Sequence, residues 1–344
     1  MIEFQKNLSG EEFLTMELPA LQRPFFSEDP KREQLWIEIL LAMAAVAGLI
    51  LIMAWPQTRS LELIAALQQW RSVPVELFFR VFTFIGDDQF FMIFFGIIIW
   101  CVSKSLGFWG AFMLLSAATY SNLIKDLTLL ERPAIEGVTH PPGSYAFPSG
   151  HTLTAVTVWP YLAARLKKRG YWIWAVAAVV LIGFSRMVLG YHFLGDILGG
   201  LAFGIPFLLL FLWLSALLYE KGLLEKLSMP SLLAASIIIP VVLLFVLPGA
   251  DPPKVLGYLA GASFGYVLEK EKIKTLVKAP LFKQIIKVII GLAVLFGIIV
   301  GLGGLLPSAI KPLGFIRYAL GGIWVTLLAP LLFSVIGLAG RENN

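Results

Sequence analysis

Residues 193–218 read FLGDILGGLAFGIPFLLLFLWLSALL, a run whose only charged residue is Asp196. A helix needs about 20 mostly apolar residues to cross a bilayer, and this run is longer. Similar runs lie near 35–55, 83–102, 108–130, 151–167 and 172–190 before it, and near 231–248, 254–268, 285–305 and 313–337 after it. The spacing therefore predicts ten membrane spans. Composition agrees, with 58% hydrophobic and 14% charged residues and a mean hydropathy of +0.83, where a soluble domain carries about 25% charged residues. These values exclude a soluble globular enzyme and a disordered chain, and the single cysteine, Cys101, excludes a disulfide scaffold. The expected fold class is all-α, a polytopic transmembrane helical bundle.

Residues 1–34 mix charges with apolar residues and lack the basic start and apolar run of a signal peptide. They are expected to remain as a cytoplasmic or interfacial segment, with Ile2 to Leu14 either an amphipathic interfacial helix or an unstructured tail. A membrane core is expected over 35–220 and a C-terminal transmembrane module over 221–344. Pro56 to Arg80 carries Arg59, Glu62, Arg71 and Glu76 and reads as an interfacial connector. Asp87 and Asp88 read as the water-facing end of the second span. With the N-terminus inside, eighteen of the 27 basic residues fall in cytoplasmic segments. The positive-inside rule therefore places both termini in the cytoplasm of a cell-membrane protein, and the net charge of +5 reads as loop orientation rather than nucleic-acid binding.

Two segments concentrate residues that are costly at a membrane. The stretch leaving the third span and entering the fourth holds Lys125, Arg132 and His151; the stretch between the fifth and sixth holds Arg186, His192 and Asp196. Two crossings separate them, so both emerge on the same outer face. Three cations, two histidines and a carboxylate suit a phosphate dianion. His192 and Asp196, four apart, share a helical face, so Asp196 can orient the His192 ring while its other nitrogen attacks phosphorus. His151 is placed to protonate the leaving oxygen. Ser149 is expected to cap the fourth span, whose first free N–H groups can meet phosphate oxygens, and Gly150 lets the backbone approach closely.

Lys125-x6-Arg132-Pro133, Pro148-Ser149-Gly150-His151 and Ser185-Arg186-x5-His192-x3-Asp196 together resemble the three signature motifs of the type 2 phosphatidic acid phosphatase superfamily, which also includes vanadium haloperoxidases and glucose-6-phosphatase. All eleven fixed positions match in order; at about one in twenty per position, chance agreement is on the order of 10⁻¹⁴. The resemblance covers about residues 75–220. It implies a six-helix phosphatase core, here followed by about four further spans, with a phosphohistidine formed on His192, oriented by Asp196, and with His151 as general acid. It further implies phosphate held by Lys125, Arg132 and Arg186, hydrogen bonds from Ser149 and Gly150, and no metal or other cofactor. Ser185 is the weakest of the matched positions, since a helix-end serine commonly satisfies backbone groups.

His140 lies outside the motifs and reads as a loop residue, and Asp126 and Glu131 read as salt-bridge partners of the neighbouring cations. In the C-terminal module, Gly257-x3-Gly261-x3-Gly265 and Gly297-x3-Gly301 form small-residue ridges that suit helix packing or homo-oligomer contact. Arg317 is expected to snorkel to the interface, Pro240 and Pro330 to kink their helices, and Glu269 to Lys287 to be a cytoplasmic linker near anionic headgroups.

The expected function is a membrane phosphatase acting on a lipid phosphate or lipid diphosphate at the outer face, within the membrane lipid. Transfer of the phosphoryl group to another acceptor and hydrolysis of a soluble sugar phosphate are the enzymatic alternatives. A lipid or solute transporter is the alternative of another class, although its polar residues would be expected at mid-membrane rather than at span ends.

Overall fold

The computed structural model describes residues 26–342 apart from 28, 139, 141–143, 167, 168, 224, 225, 248 and 250. The expected interfacial helix at Ile2 to Leu14 lies outside the described residues. The chain folds as α1 (Pro30–Met53), α2 (Leu61–Gln68), α3 (Val73–Ile85), α4 (Asp88–Cys101), α5 (Lys104–Thr128), α6 (Gly150–Leu166), α7 (Arg169–Val188), α8 (Leu194–Glu220), α9 (Met229–Val246), α10 (Pro252–Leu268), α11 (Leu281–Phe296), α12 (Lys311–Ile323) and α13 (Ala329–Val335). No strand occurs among the described residues. Short polar side chains start many of these helices by accepting an orphan N–H: Asp29 from Lys31, Ser60 from Glu62, Asp87 from Gln89, Ser103 from Leu106 and Ser228 from Ser231.

Among the described residues, six helical stretches are long and apolar enough to cross a membrane, and α3 with α4, bent by 51°, makes a seventh if counted as one span. Helices occupy all ten positions at which spans are expected, and those outside this count are shorter or less apolar. The difference has a physical cause. From Thr152 to Arg165 every residue of α6 is buried, so this 17-residue helix is shielded by α5, α7 and α8 and faces protein rather than lipid. The 17-residue α10 is likewise buried along most of its length.

Helix α6 is the axis of the core. Tyr161, Ala155, Val158 and Leu162 are buried along it, packed with Phe91, Met113, Ile182 and Leu208 from the surrounding helices. Helix α8 approaches it closely because Gly200 has no side chain: a Cβ there would stand 2.7 Å from the Thr152 Cβ.

The C-terminal module packs against α4 and α5 and is built on the contact between α10 and α12. A Cβ on Gly257 or Gly261 would collide with the carbonyls of Phe315 and Ala319, and one on Gly265 with the Thr326 hydroxyl. This first small-residue ridge is therefore consumed within the chain and is closed to another copy. Gly297 and Gly301, by contrast, face open space within 4 Å.

Two expectations for this module are corrected. The stretch from Glu269 to Lys287 is folded into the bundle: buried Glu269 accepts from Lys104 Nζ at 3.1 Å and from Thr275 N at 2.8 Å. Buried Lys287 donates to the Trp100 and Val277 carbonyls at 3.1 and 2.9 Å. These partners hold both charges inside the protein, while Lys270, Glu271, Lys272 and Lys278 of the same stretch stay exposed. Arg317 is also buried, bonded to the Ser308 hydroxyl and stacked on Tyr318, rather than extended to the interface.

Candidate functional site

One end of the core collects the C-terminal ends of α5 and α7 and the N-terminal ends of α4, α6 and α8. Antiparallel neighbours, joined by the short connection at 189–193 and by the longer segment 129–149, bring these ends together, and with them every residue of the three motifs. Helix N-termini expose unpaired N–H groups and a partial positive charge, so α6 and α8 contribute to the field felt by an anion here.

His192 sits at the centre, 1% exposed. Its Nδ1 is 3.3 Å from Asp196 Oδ2 and its Nε2 is 3.1 Å from Arg132 Nη1. A guanidinium can only donate, so this contact requires a lone pair on Nε2 and leaves the ring proton on Nδ1, facing the carboxylate. Burial, then the nearby Arg132, Arg186 and Lys125, hold the His192 imidazole well below its usual range, which favours the neutral ring. Asp196 is fully engaged as well: Oδ2 also accepts the Phe193 N–H at 2.8 Å, and Oδ1 receives Arg59 Nη1 at 2.5 Å.

Arg132 is fixed by Ser144, whose carbonyl and hydroxyl oxygens accept from Nε at 3.1 and 3.0 Å, and by the Tyr191 carbonyl at 3.1 Å from Nη1. Arg186 lies 4.4 Å from the Tyr191 ring centroid, and its Nε has no hydrogen-bond partner among the described residues. The Arg186 carbonyl accepts from the Tyr191 and His192 amides at 2.9 and 3.2 Å, so the residue that carries this cation also shapes the turn that presents His192. Lys125 reaches the start of α6: a Cβ added to Gly150 would be 3.4 Å from its Nζ. A larger residue at Gly150 would stand where the cation and an oxyanion must meet.

His151 Nε2 has no hydrogen-bond partner among the described residues and lies 3.9 Å from Asp87 Oδ2. Ser149 Oγ accepts from the Thr152 amide at 3.4 Å, the expected cap, while its own N–H donates to the Asp196 carbonyl at 2.9 Å. Only its hydroxyl proton therefore remains for a phosphate. The Ser185 hydroxyl is committed to the Ile182 carbonyl and to Thr83 Oγ1, both at 2.7 Å, a structural position behind the cations.

His140 Nε2 donates to the Pro133 carbonyl at 3.1 Å, and its ring packs edge-on near Tyr191. Among the described residues, the carboxylates flanking the first motif form no ion pair with its cations: Asp126 accepts from the Gly249 amide at 3.1 Å, and the Glu131 carbonyl accepts from Arg59. Among the described residues, no group of three His, Cys, Asp or Glu is placed to hold a metal ion.

Arg59 is the residue that sequence reasoning assigned to a connector and that the structure brings into the site. The one-turn helix Trp55–Thr58 delivers it, and its guanidinium stacks 5.4 Å from the Trp55 ring and 4.5 Å from the Phe193 ring. The available signal was one arginine among the polar residues Gln57, Thr58, Ser60 and Glu62 of a connector, and no spacing rule ties it to Asp196.

The fold and this cluster define a multi-pass helical membrane protein with three cations, two histidines and a buried carboxylate gathered at one end of its core. A model of the PAP2 superfamily matches residues 106–220, and a model of the PAP2 superfamily phosphatase transmembrane extension matches residues 253–341. A PAP2 superfamily domain followed by the PAP2 transmembrane extension is thus found in this chain. It is 37% identical over 109 residues to phosphatidylglycerophosphatase B of Bacillus subtilis (strain 168), covering 28% of this chain and 53% of that protein. It is 27% identical over 173 residues to lipid phosphate phosphatase delta of Arabidopsis thaliana, covering 44% and 41%. The chain thus spans about half the length or less of these curated relatives. A crystal structure of the first transmembrane PAP2 type phosphatidylglycerolphosphate phosphatase from Bacillus subtilis aligns over 56% of this chain and 97% of that one, at 23% identity and a TM-score of 0.43.

Proposed function

We propose that this protein is a phosphoric ester hydrolase that removes phosphate from a lipid phosphate or lipid diphosphate at the outer membrane face. The observation that carries this reading is the polarised imidazole: His192 with its proton toward Asp196 and its Nε2 lone pair directed at Arg132.

A phosphate bound by Arg132, Arg186 and Lys125 presents its phosphorus to Nε2. The lone pair forms the P–N bond as the P–O ester bond breaks, and His151 gives its proton to the departing oxygen. Asp196 stabilises the imidazolium through Nδ1. Water, deprotonated by His151, then attacks the phosphohistidine, releasing phosphate and restoring both histidines. The three cations and the α6 amides stabilise charge on the equatorial oxygens throughout. His192, His151 and Asp196 are the proposed catalytic residues; Lys125, Arg132, Arg186, Ser149 and Gly150 hold the phosphate, and Ser185 supports them from behind.

Membrane lipids supply the substrate class on this reading, because a site at the end of a helical bundle opens at headgroup depth. The core over 35–220 carries the chemistry, and both termini lie in the cytoplasm. The test is phosphate release by purified protein across lipid phosphates, lipid diphosphates and sugar phosphates, beside His192→Ala. Turnover of a lipid phosphate that His192→Ala loses is expected. Equal turnover by the variant, or cleavage of sugar phosphates alone, would overturn the reading.

A further inference from the structure

A cavity of about 310 Å³ lies between the core and the C-terminal module, walled by α4 and α5 on one side and α10 and α12 on the other. That volume sits at the small end of ligand sites. Its walls are mostly apolar; the charged residues among them, Asp87, Asp88 and Lys254, sit at one end, and the hydroxyl residues Ser263 and Thr326 line it farther along. The opposite end is closed by Phe108, whose ring stacks on Tyr266 at 3.8 Å with 1° between planes.

Two elements join the cavity to the phosphate site. Asp87 lines it and also lies 3.9 Å from His151 Nε2. Along α5, Phe108, Ala111, Leu115 and Ala118 line it at helical three-and-four spacing, and the same stripe continues to Asn122 and Lys125. Lys125 is the cation beside Gly150. Ala118 and Lys125 are seven residues apart, about 10 Å along the axis.

Depth argues for the occupant. From Asp88 to Ile99, α4 lines the cavity over about 16 Å, close to half of the roughly 30 Å hydrocarbon core. Ala111 from the core and Ala262 from the module, both buried, line it with small side chains.

We propose that this cavity receives one hydrocarbon chain of the substrate, so that the C-terminal module, together with the core, selects chain length. The inference rests on the phosphatase reading above and deepens it: the phosphate is bound by the core, and one tail leaves the bilayer for an interior slot with a fixed floor. The substrate would then be a phosphate ester whose chain runs unbranched from the headgroup region for about one leaflet.

The experiment measures kcat/KM for n-alkyl phosphates from octyl to octadecyl with the wild type, Ala111→Leu, Ala262→Leu and Phe108→Ala. Ratios between variants at one chain length cancel partition of the substrate into detergent. Each methylene accommodated contributes up to about fourfold. Ala111→Leu and Ala262→Leu should shift the preferred length shorter and cut octadecyl phosphate turnover roughly tenfold more than octyl phosphate turnover. Phe108→Ala should shift it longer. Opposite shifts are an outcome that mere destabilisation cannot produce. Uniform losses, or an unchanged chain-length profile in all three variants, would overturn the cavity's role while leaving the phosphatase reading intact. Failure of the wild type on every phosphate would instead overturn the reading on which the proposal rests.

Discussion

Arg59→Met removes the charged partner that grips Asp196 at 2.5 Å. Asp196 is fully buried and Arg59 is 15% exposed at its side chain, so the pair is largely shielded from solvent and screening. A hydrogen bond between charged groups contributes about 1.5–3 kcal/mol. If the loss falls on the orientation of His192, it corresponds to roughly ten- to 150-fold in kcat/KM. The Glu131 carbonyl and the Trp55 and Phe193 rings lose their guanidinium as well, which lowers thermal stability. The two contributions are separable by a double-mutant cycle with Asp196→Asn, assayed as phosphate release from a lipid phosphate and as melting temperature. Arg59 matters to chemistry through the carboxylate, so the double variant should be little slower than Asp196→Asn alone. Arg59→Lys should retain part of the activity, because the charge survives while the stacked planar fork is lost. Losses that simply multiply, with no coupling between the two positions, would refute the argument that Arg59 acts through Asp196.

Other consequences are open to measurement. Because burial and the surrounding cations lower the His192 pKa, the ring stays neutral, and nucleophilic, below its usual titration range; activity should be lost on the acid side only below about pH 6.5. A phosphate monoester itself titrates near 6, so the check is nitrogen NMR of labelled histidine in the free protein, where titration of His192 at or above its ordinary value would contradict the electrostatics. Gly200→Val drives a branched side chain against Thr152 and should destabilise the fold by at least about 1–3 kcal/mol, seen as a lower melting temperature; Gly297→Val, on an open face, should change it little. In a Cys101→Ala background, a cysteine placed at Ser144 should react with an impermeant thiol reagent from outside intact cells. Protection there, with labelling only after permeabilisation, would reverse the sidedness.

The membrane fold was legible because apolar runs the length of a bilayer have few other uses, and the motif residues stood out because charges at span ends are expensive. The boundaries of the site were less so. Arg59 looks like any connector arginine until the fold brings it against Asp196, 137 positions along the chain. Similar reasoning misreads Glu269 and Lys287: in sequence they belong to a charged stretch, and only the fold shows that Lys104, Thr275 and two backbone carbonyls absorb them. The glycines at 257, 261 and 265 announced close packing without naming the partner helix, which the structure identifies as α12. Helix α6 shows the limit of hydropathy, since a helix covered by protein on every side has no need to match the bilayer in length.

The central claim is that His192 forms the phosphorylated intermediate, and rapid-quench labelling tests it most directly. His151→Ala is mixed with radiolabelled p-nitrophenyl phosphate, whose leaving group needs no proton from His151, while the second step has lost its base. The account predicts an acid-labile, base-stable label that accumulates stoichiometrically and maps to His192, and that His192→Ala abolishes. Turnover by the wild type with no such label, or a label that persists in His192→Ala, would contradict it.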